Sequence, residues 1–175
     1  MSHENPSQSS GAEESFGGLL SDTLRQSMRI RRITAADRDN YRRILEDTSD
    51  EDRYCRFFHA VDHFDPEFID EYVRERPGTI GFIALDAEPL GSAHAIAIDE
   101  RTAELAIVVA RKGRRRGIAR ALLERVVADA RAQGYKTLLA YALRENMAFA
   151  ALAVHLGMQP DPHSDGSTVI WTLSL

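Results

Sequence analysis

Apolar positions along the chain change their period twice. From Met28 to Ile33 they alternate imperfectly with arginines, which predicts a first strand. Thr34 with Asp37 then forms a capping-box pattern that opens a helix through Tyr41, Ile44 and Leu45. Ser49, followed by Glu51 and Asp52, caps a second helix over "DEDRYCRFF". Asp65-Pro66 starts "PEFIDEYVRE" with proline at the first helical position. The stretch reads as one broken helix or two short ones.

The pattern then shortens. "GTIGFIALD" and "GSAHAIAID" are apolar runs separated by the turn-rich "AEPLG", a hairpin signal, and a third run, "AELAIVV", follows. From Gly117 to Gln133 the period lengthens again. Ile118, Leu122, Val126 and Ala130 share one face of a helix that Gly134 should end. "KTLLAYAL" reads as a buried strand, Asn146 to Gly157 as a helix and "STVIWTLSL" as a terminal strand. The predicted order, β-α-α-(α)-β-β-β-α-β-α-β, describes one mixed α/β domain over residues 27–175. Residues 1–26, rich in Ser, Gly and Glu, read as a flexible tail.

Composition narrows this picture. The chain has 175 residues, 43% hydrophobic and 28% charged, which is ordinary for a soluble globular protein of one domain. Neither an apolar run of ~20 residues nor a secretory pattern is found, so no membrane partner is expected. Cys55 is the single cysteine, which fits a reducing cytoplasm. The net charge of -5 weighs against a general nucleic-acid binder.

Against that acidic background, five of the six residues from Arg111 to Arg116 are cationic. They join an apolar strand to the start of the long helix. Such a start presents unpaired N–H groups and a positive dipole end, a ready phosphate or pyrophosphate site. Gly117 permits close backbone approach and Ala119 leaves room over the first turn. Neither a nucleoside-triphosphatase loop nor a dinucleotide fingerprint is present. A solvated basic turn is the bland alternative.

Arg114-Arg115-Arg116-Gly117-Ile118-Ala119 resembles the R/Q-x-x-G-x-G/A signature of the GNAT N-acetyltransferases. "RENMAFAALAVHLGMQ" resembles that family's second segment, with Asn146, Leu152, Leu156, Gly157 and Met158 in register. "SDEDRYCRFF", "AELAIVV" and "ALRENMAFAALAVHLGM" are similar to the catalytic domain of bacterial protein lysine acetyltransferases of the Pat type. The resemblance implies a mostly antiparallel twisted sheet with a splayed central strand pair, flanked by helices. It implies acetyl-CoA as acyl donor. His59, His63, His94, His155 and His163 show no zinc-like spacing with Cys55, so no metal is expected. Contacts to the donor are implied for Ile107, Val108, Val109, Arg114, Arg115, Arg116, Gly117, Ile118, Ala119 and Asn146. A backbone N–H near Ile107 or Val108 is expected to meet the thioester oxygen.

Transfer to an amine requires removal of an ammonium proton, polarisation of the thioester carbonyl and departure of a thiolate. Glu104, in the otherwise apolar "AELAIVV", is the candidate general base, because desolvation there makes a carboxylate a better proton acceptor. A strand-end glutamate facing solvent is the plain alternative. The matching position in Pat-like enzymes is a catalytic Glu. Many family members carry a tyrosine seven residues after the Asn, where Ala153 stands here, and Tyr141 is a substitute candidate for thiolate protonation. Asn146 is also a natural helix cap. Arg111 and Lys112 are candidates for the outer phosphate, or are simply solvated. His94 reads as a satisfied sheet histidine or a border of the acceptor cleft, and Cys55 as packing. Glu46, Asp47, Asp50, Glu51, Asp52, Asp62, Asp65 and Glu67 give the acceptor side an acidity that suits a cationic lysine, or are caps and solvated faces.

The sequence therefore favours an acetyl-CoA-dependent N-acetyltransferase acting on a protein lysine by direct attack on the thioester, as monomer or homodimer. The alternatives are a small-molecule amine acetyltransferase and a non-catalytic acetyl-CoA sensor.

Overall fold

The computed structural model describes residues 28–164 and 166–175, so the expected tail lies outside the described residues. Seven strands form one open sheet in the order β1-β2-β3-β4-β5-β7-β6: β1 (Arg29–Arg32), β2 (Thr79–Leu85), β3 (Pro89–Ala97), β4 (Thr102–Val109), β5 (Thr137–Leu143), β6 (Gln159–Pro160) and β7 (Thr168–Ser174). Neighbours pair antiparallel except β4 and β5. That pair is parallel because a crossover helix joins the two strands.

After the expected first helix, α1 (Arg38–Glu46), the stretch read as one broken helix or two short ones is two short helices, α2 (Asp50–Phe57) and α3 (Pro66–Val73). Thr34 opens a 3-10 turn, Ala35–Asp37, before α1 begins. The buried Asp37 carboxylate accepts the Thr34 N–H and is gripped by both Nη atoms of Arg31 at 2.6 and 2.7 Å. Burial alone would raise its pKa, but the bonds from Arg31, Asn40 and Thr34 outweigh burial and hold it at about 2. Ser49 accepts the Asp52 N–H, as its capping pattern predicts. Phe58 turns left-handed and ends α2.

Two differences from the sequence expectation have simple causes. Pro89 and Leu90 belong to β3 rather than the hairpin turn, because Leu90 is needed in the core and Asp86 closes the turn by accepting the Glu88 N–H. The two-residue β6 at the sheet edge is too short to leave a periodic signal.

Both faces of the sheet are covered. On one, α4 (Ile118–Ala132) buries Ile118, Leu122, Leu123, Val126, Val127 and Ala130 against Ile80, Phe82, Ala95 and Leu105. On the other, α1 and α3 bury Tyr41, Ile44, Leu45, Ile69 and Val73 against Ile83 and Val108. Fully burying one such leucine or isoleucine contributes roughly 1.5–3 kcal/mol. The last helix, α5 (Met147–His155), is capped by Asn146, whose side chain accepts the Phe149 N–H at 3.0 Å. Among the described residues no helix is long and apolar enough to cross a membrane.

Candidate active site

β4 and β5 pair over three positions only, Thr102↔Thr137, Ala103↔Leu138 and Glu104↔Leu139. Beyond Glu104 the strands part, and the unpaired edge of β4 forms one wall of a cleft of about 760 Å³. The Ala110 N–H donates to Leu90 O on the β3 side at 3.0 Å. By the two-residue period of an antiparallel ladder, the N–H groups of Val108 and Ala106 also face β3, and those of Ile107 and Val109 face the opening. Of the amides of Ile107 and Val108, that of Ile107 faces the opening and that of Val108 faces β3.

Glu104 is the last paired residue before the strands part. It is half-buried and lines the cleft, on the same face of β4 as Ala106 and Val108. Ile107, Val108, Val109, Arg114, Ala119 and Asn146 line the same cleft. Arg115, Arg116, Gly117 and Ile118 are not on its wall: Ile118 is buried in the core and Arg116 reaches Asp86 at 2.7 Å in the β2–β3 turn. These four can meet a ligand at the loop only through backbone, or in the case of Arg115 through an exposed side chain.

The loop's backbone is well suited to that. The N–H groups from Arg115 to Arg120 donate to no acceptor among the described residues. Arg115 and Gly117 both take left-handed backbone, with φ of 56° and 74°. A Cβ at Gly117 would meet nothing within 4 Å among the described residues, which leave the surface over this helix start open. Gly113 is different: a Cβ there would lie 2.5 Å from Leu90 O, so the loop cannot pack on β3 with any larger residue.

Four of the loop's cations are already paired. Arg111 approaches Asp47, Lys112 lies 3.0 Å from Glu88, Arg114 pairs with Asp52 and donates to Ser49 Oγ, and Arg116 pairs with Asp86. Arg116 in turn holds the Asp86 carboxyl below the usual carboxylate range. Asp47 and Asp52, expected on the acceptor wall, thus serve first to tie α1 and α2 to the loop. Arg111 and Lys112 do not line the cleft.

The opposite wall comes from α2, where Glu51, Cys55 and Phe58 recur at three- and four-residue spacing beside Asp52, Tyr54 and Arg56. Sequence reasoning placed Cys55 in packing; it lines the cleft, and its thiol is pushed up by burial and by Glu51 and Glu145. Tyr141, in a strand read as buried, is exposed on the cleft wall, whereas Ala153 is buried in the core. Arg56 and Glu145 were missed. Their signal was present only as helix spacing for Arg56 and as the residue before the Asn146 cap for Glu145.

Against Tyr41 of α1 and Tyr72 of α3 lies His94, 1% exposed, with Nε2 2.8 Å from Ser92 Oγ. Ser92 donates its hydroxyl proton to Phe82 O at 2.8 Å, so Nε2–H is the donor to Ser92 and Nδ1 carries the lone pair. Nδ1 has no partner. His94 is therefore half satisfied, and it does not line the cleft. Burial, then the Arg56 charge, lowers its pKa to about 3 and keeps the ring neutral.

A model of the acetyltransferase (GNAT) family matches residues 34–158. The chain belongs to the GNAT acetyltransferase family. Its activity class is accordingly acetyl-CoA-dependent N-acetyl transfer. The fold is similar to the GNAT domain of S. lividans PAT, with 24% identity, 85% of this chain and 90% of that one covered, and a TM-score of 0.79. It is also similar to a GCN5-related N-acetyltransferase from Kribbella flavida, at 19% identity, 86% and 99% coverage and a TM-score of 0.70. A spermidine N-acetyltransferase from Vibrio cholerae, solved with CoA and spermine, matches at 16% identity, 86% and 95% coverage and a TM-score of 0.65. For this GNAT chain, the open N–H run and the bare Gly117 surface fit the pyrophosphate of CoA, and the unpaired edge of β4 fits an extended amide-bearing arm.

Proposed function

We propose that the protein acetylates lysine side chains of other proteins, with Glu104 as general base, and that residues 27–175 form one catalytic unit working in a reducing cytoplasm. The observation that carries this reading is the position of Glu104. It is the last residue of β4 before the strands part, at the inner end of the cleft where an amine entering past α2 meets the open edge of β4.

Acetyl-CoA supplies an acyl group activated as a thioester. The N–H groups of Arg115 to Ala119 and the side chain of Arg114 would hold its phosphates, and the edge amides of Ile107 and Val109 would hold the arm. Asn146 uses Oδ1 to cap α5 and keeps its amide nitrogen for a ligand. Glu104 accepts the ammonium proton, directly or through water, and frees the nitrogen lone pair for attack. The carboxylates of Glu51 and Glu145 on the cleft wall favour a cationic acceptor.

Labelled acetyl-CoA supplied to a dialysed lysate tests this. Label on protein lysines with the wild type and none with Glu104→Gln supports both parts. Equal labelling by both retains the enzyme and removes Glu104 as base. Label only on free amines overturns the protein acceptor.

A further inference from the structure

The cleft wall carries two cations, and only one is matched. Arg114 has Asp52, whereas Arg56 has no carboxylate within 4.0 Å among the described residues. Its guanidinium is held flat instead: it lies 5.0 Å from the Phe57 ring centroid and 5.7 Å from that of Tyr72, and Nη2 donates to the Tyr72 hydroxyl at 3.2 Å. One neutral bond leaves most of its five donors unused. Below it are Tyr41, Tyr72 and the neutral His94, packed edge to face at 5.7 and 5.2 Å around the histidine. The Arg56 charge is felt by both Tyr41 and His94, and neither of them offsets it. Its partly exposed side faces the cleft, where solvent or a ligand meets the charge.

Glu104 lies over the same sheet face, its register partner Ile96 two residues along β3 from His94. The acceptor side thus presents the carboxylates of Glu104, Glu51 and Glu145 for a cationic amine and one half-buried guanidinium, that of Arg56 on α2. A plain alkylamine would leave the guanidinium unused. We propose that Arg56 is a specificity-determining residue that receives a carboxylate borne by the acceptor beside its reacting amine, namely an acidic side chain adjacent to the target lysine of a protein. The source is a protein side chain rather than a free amino acid because the wall also exposes Tyr54, Phe58 and Met147, 46%, 39% and 72% accessible, which only a larger partner would cover. The inference rests on the lysine-acceptor reading.

Two peptides that differ only in Glu or Gln beside one lysine, assayed by CoA thiol release, provide the test. Wild-type kcat/KM should favour the Glu peptide by at least about tenfold. Arg56→Gln should bring that ratio close to one while acetyl-CoA affinity stays put, and Arg56→Lys should retain part of it. Both peptides acetylated equally by the wild type would sink the Arg56 role and leave the lysine acceptor standing; this comparison needs no variant to fold. A preference that persists in Arg56→Gln would also sink it. Acetylation of free lysine with neither peptide used would overturn the protein acceptor itself, and with it the assigned source of the carboxylate.

Discussion

On the donor side of the cleft, four of the five cations between Arg111 and Arg116 already have carboxylate partners. Among the described residues, the groups left without partners there are six consecutive backbone N–H groups and the exposed Arg115 side chain. On the acceptor side the arrangement is reversed: a capping box closes the start of α2, with the Asp52 N–H on Ser49 Oγ and the Arg53 N–H on Ser49 O, and a side-chain charge, Arg56, has no carboxylate partner among the described residues. Charge concentrated in a sequence is therefore not the same as charge available to a ligand. The loop's arginines tie α1, α2 and the β2–β3 turn to the helix start, and the helix start offers the partial charges. Screened ion pairs at such exposure contribute little stability each, about 0–1 kcal/mol, so a polyanion can displace them.

The largest expected effect removes the proton acceptor. Glu104→Gln should lower kcat by ~10²–10⁴-fold with acetyl-CoA affinity unchanged. Unchanged turnover would show that the two walls do not meet at this residue. Next, Gly117→Glu should abolish acetyl-CoA binding in a calorimeter while unfolding stays cooperative, because a carboxylate and a strained left-handed backbone would replace open space. Retained binding would move the phosphate site elsewhere.

The acceptor side should be the acid-sensitive one. His94 has a pKa of about 3 in the fold against 6.5 in an unfolded chain, so between these values the unfolded chain binds the proton first. Stability is then complete above pH 6.5 and falls as pH drops toward 3, by on the order of 5 kcal/mol in all. Asp37 adds a loss of the same sign at lower pH, between 3.8 and about 2. Urea midpoints at pH 7, 5.5 and 4 should decline for the wild type and decline less for His94→Gln. Parallel declines would mean that His94 is not the sensor.

The smallest effect concerns the contact between the two sides. Asp52→Asn should free Arg114 and tighten acetyl-CoA by a few-fold, with a steeper salt dependence. Weaker binding would mean that Asp52 positions Arg114 rather than competing with its ligand.

Much of the fold was legible in the chain because the signals are local. Ser49, Asp65-Pro66, Asn146, Gly134 and Gly157 punctuate helices where the structure shows helix ends, and the apolar face of α4 is buried as its period predicts. The glycine-led helix start and the family it signals were likewise visible in a dozen residues. Long-range pairing was not. That Asp47 and Asp52 face the arginine loop, across 64 and 62 positions of chain, leaves no trace in either segment's pattern. Tyr141 sits in an apolar run but on the side of β5 that the parting strands expose. The amino-acid order by itself determined the elements, their ends and the helix start that a phosphate can meet, since hydrophobic period and backbone capping act within a few residues. Which cations remain unmatched, which edge amides face the opening and which side chains meet across the cleft were decided by tertiary structure alone, because the separation of charges and strand edges is set by how distant segments pack.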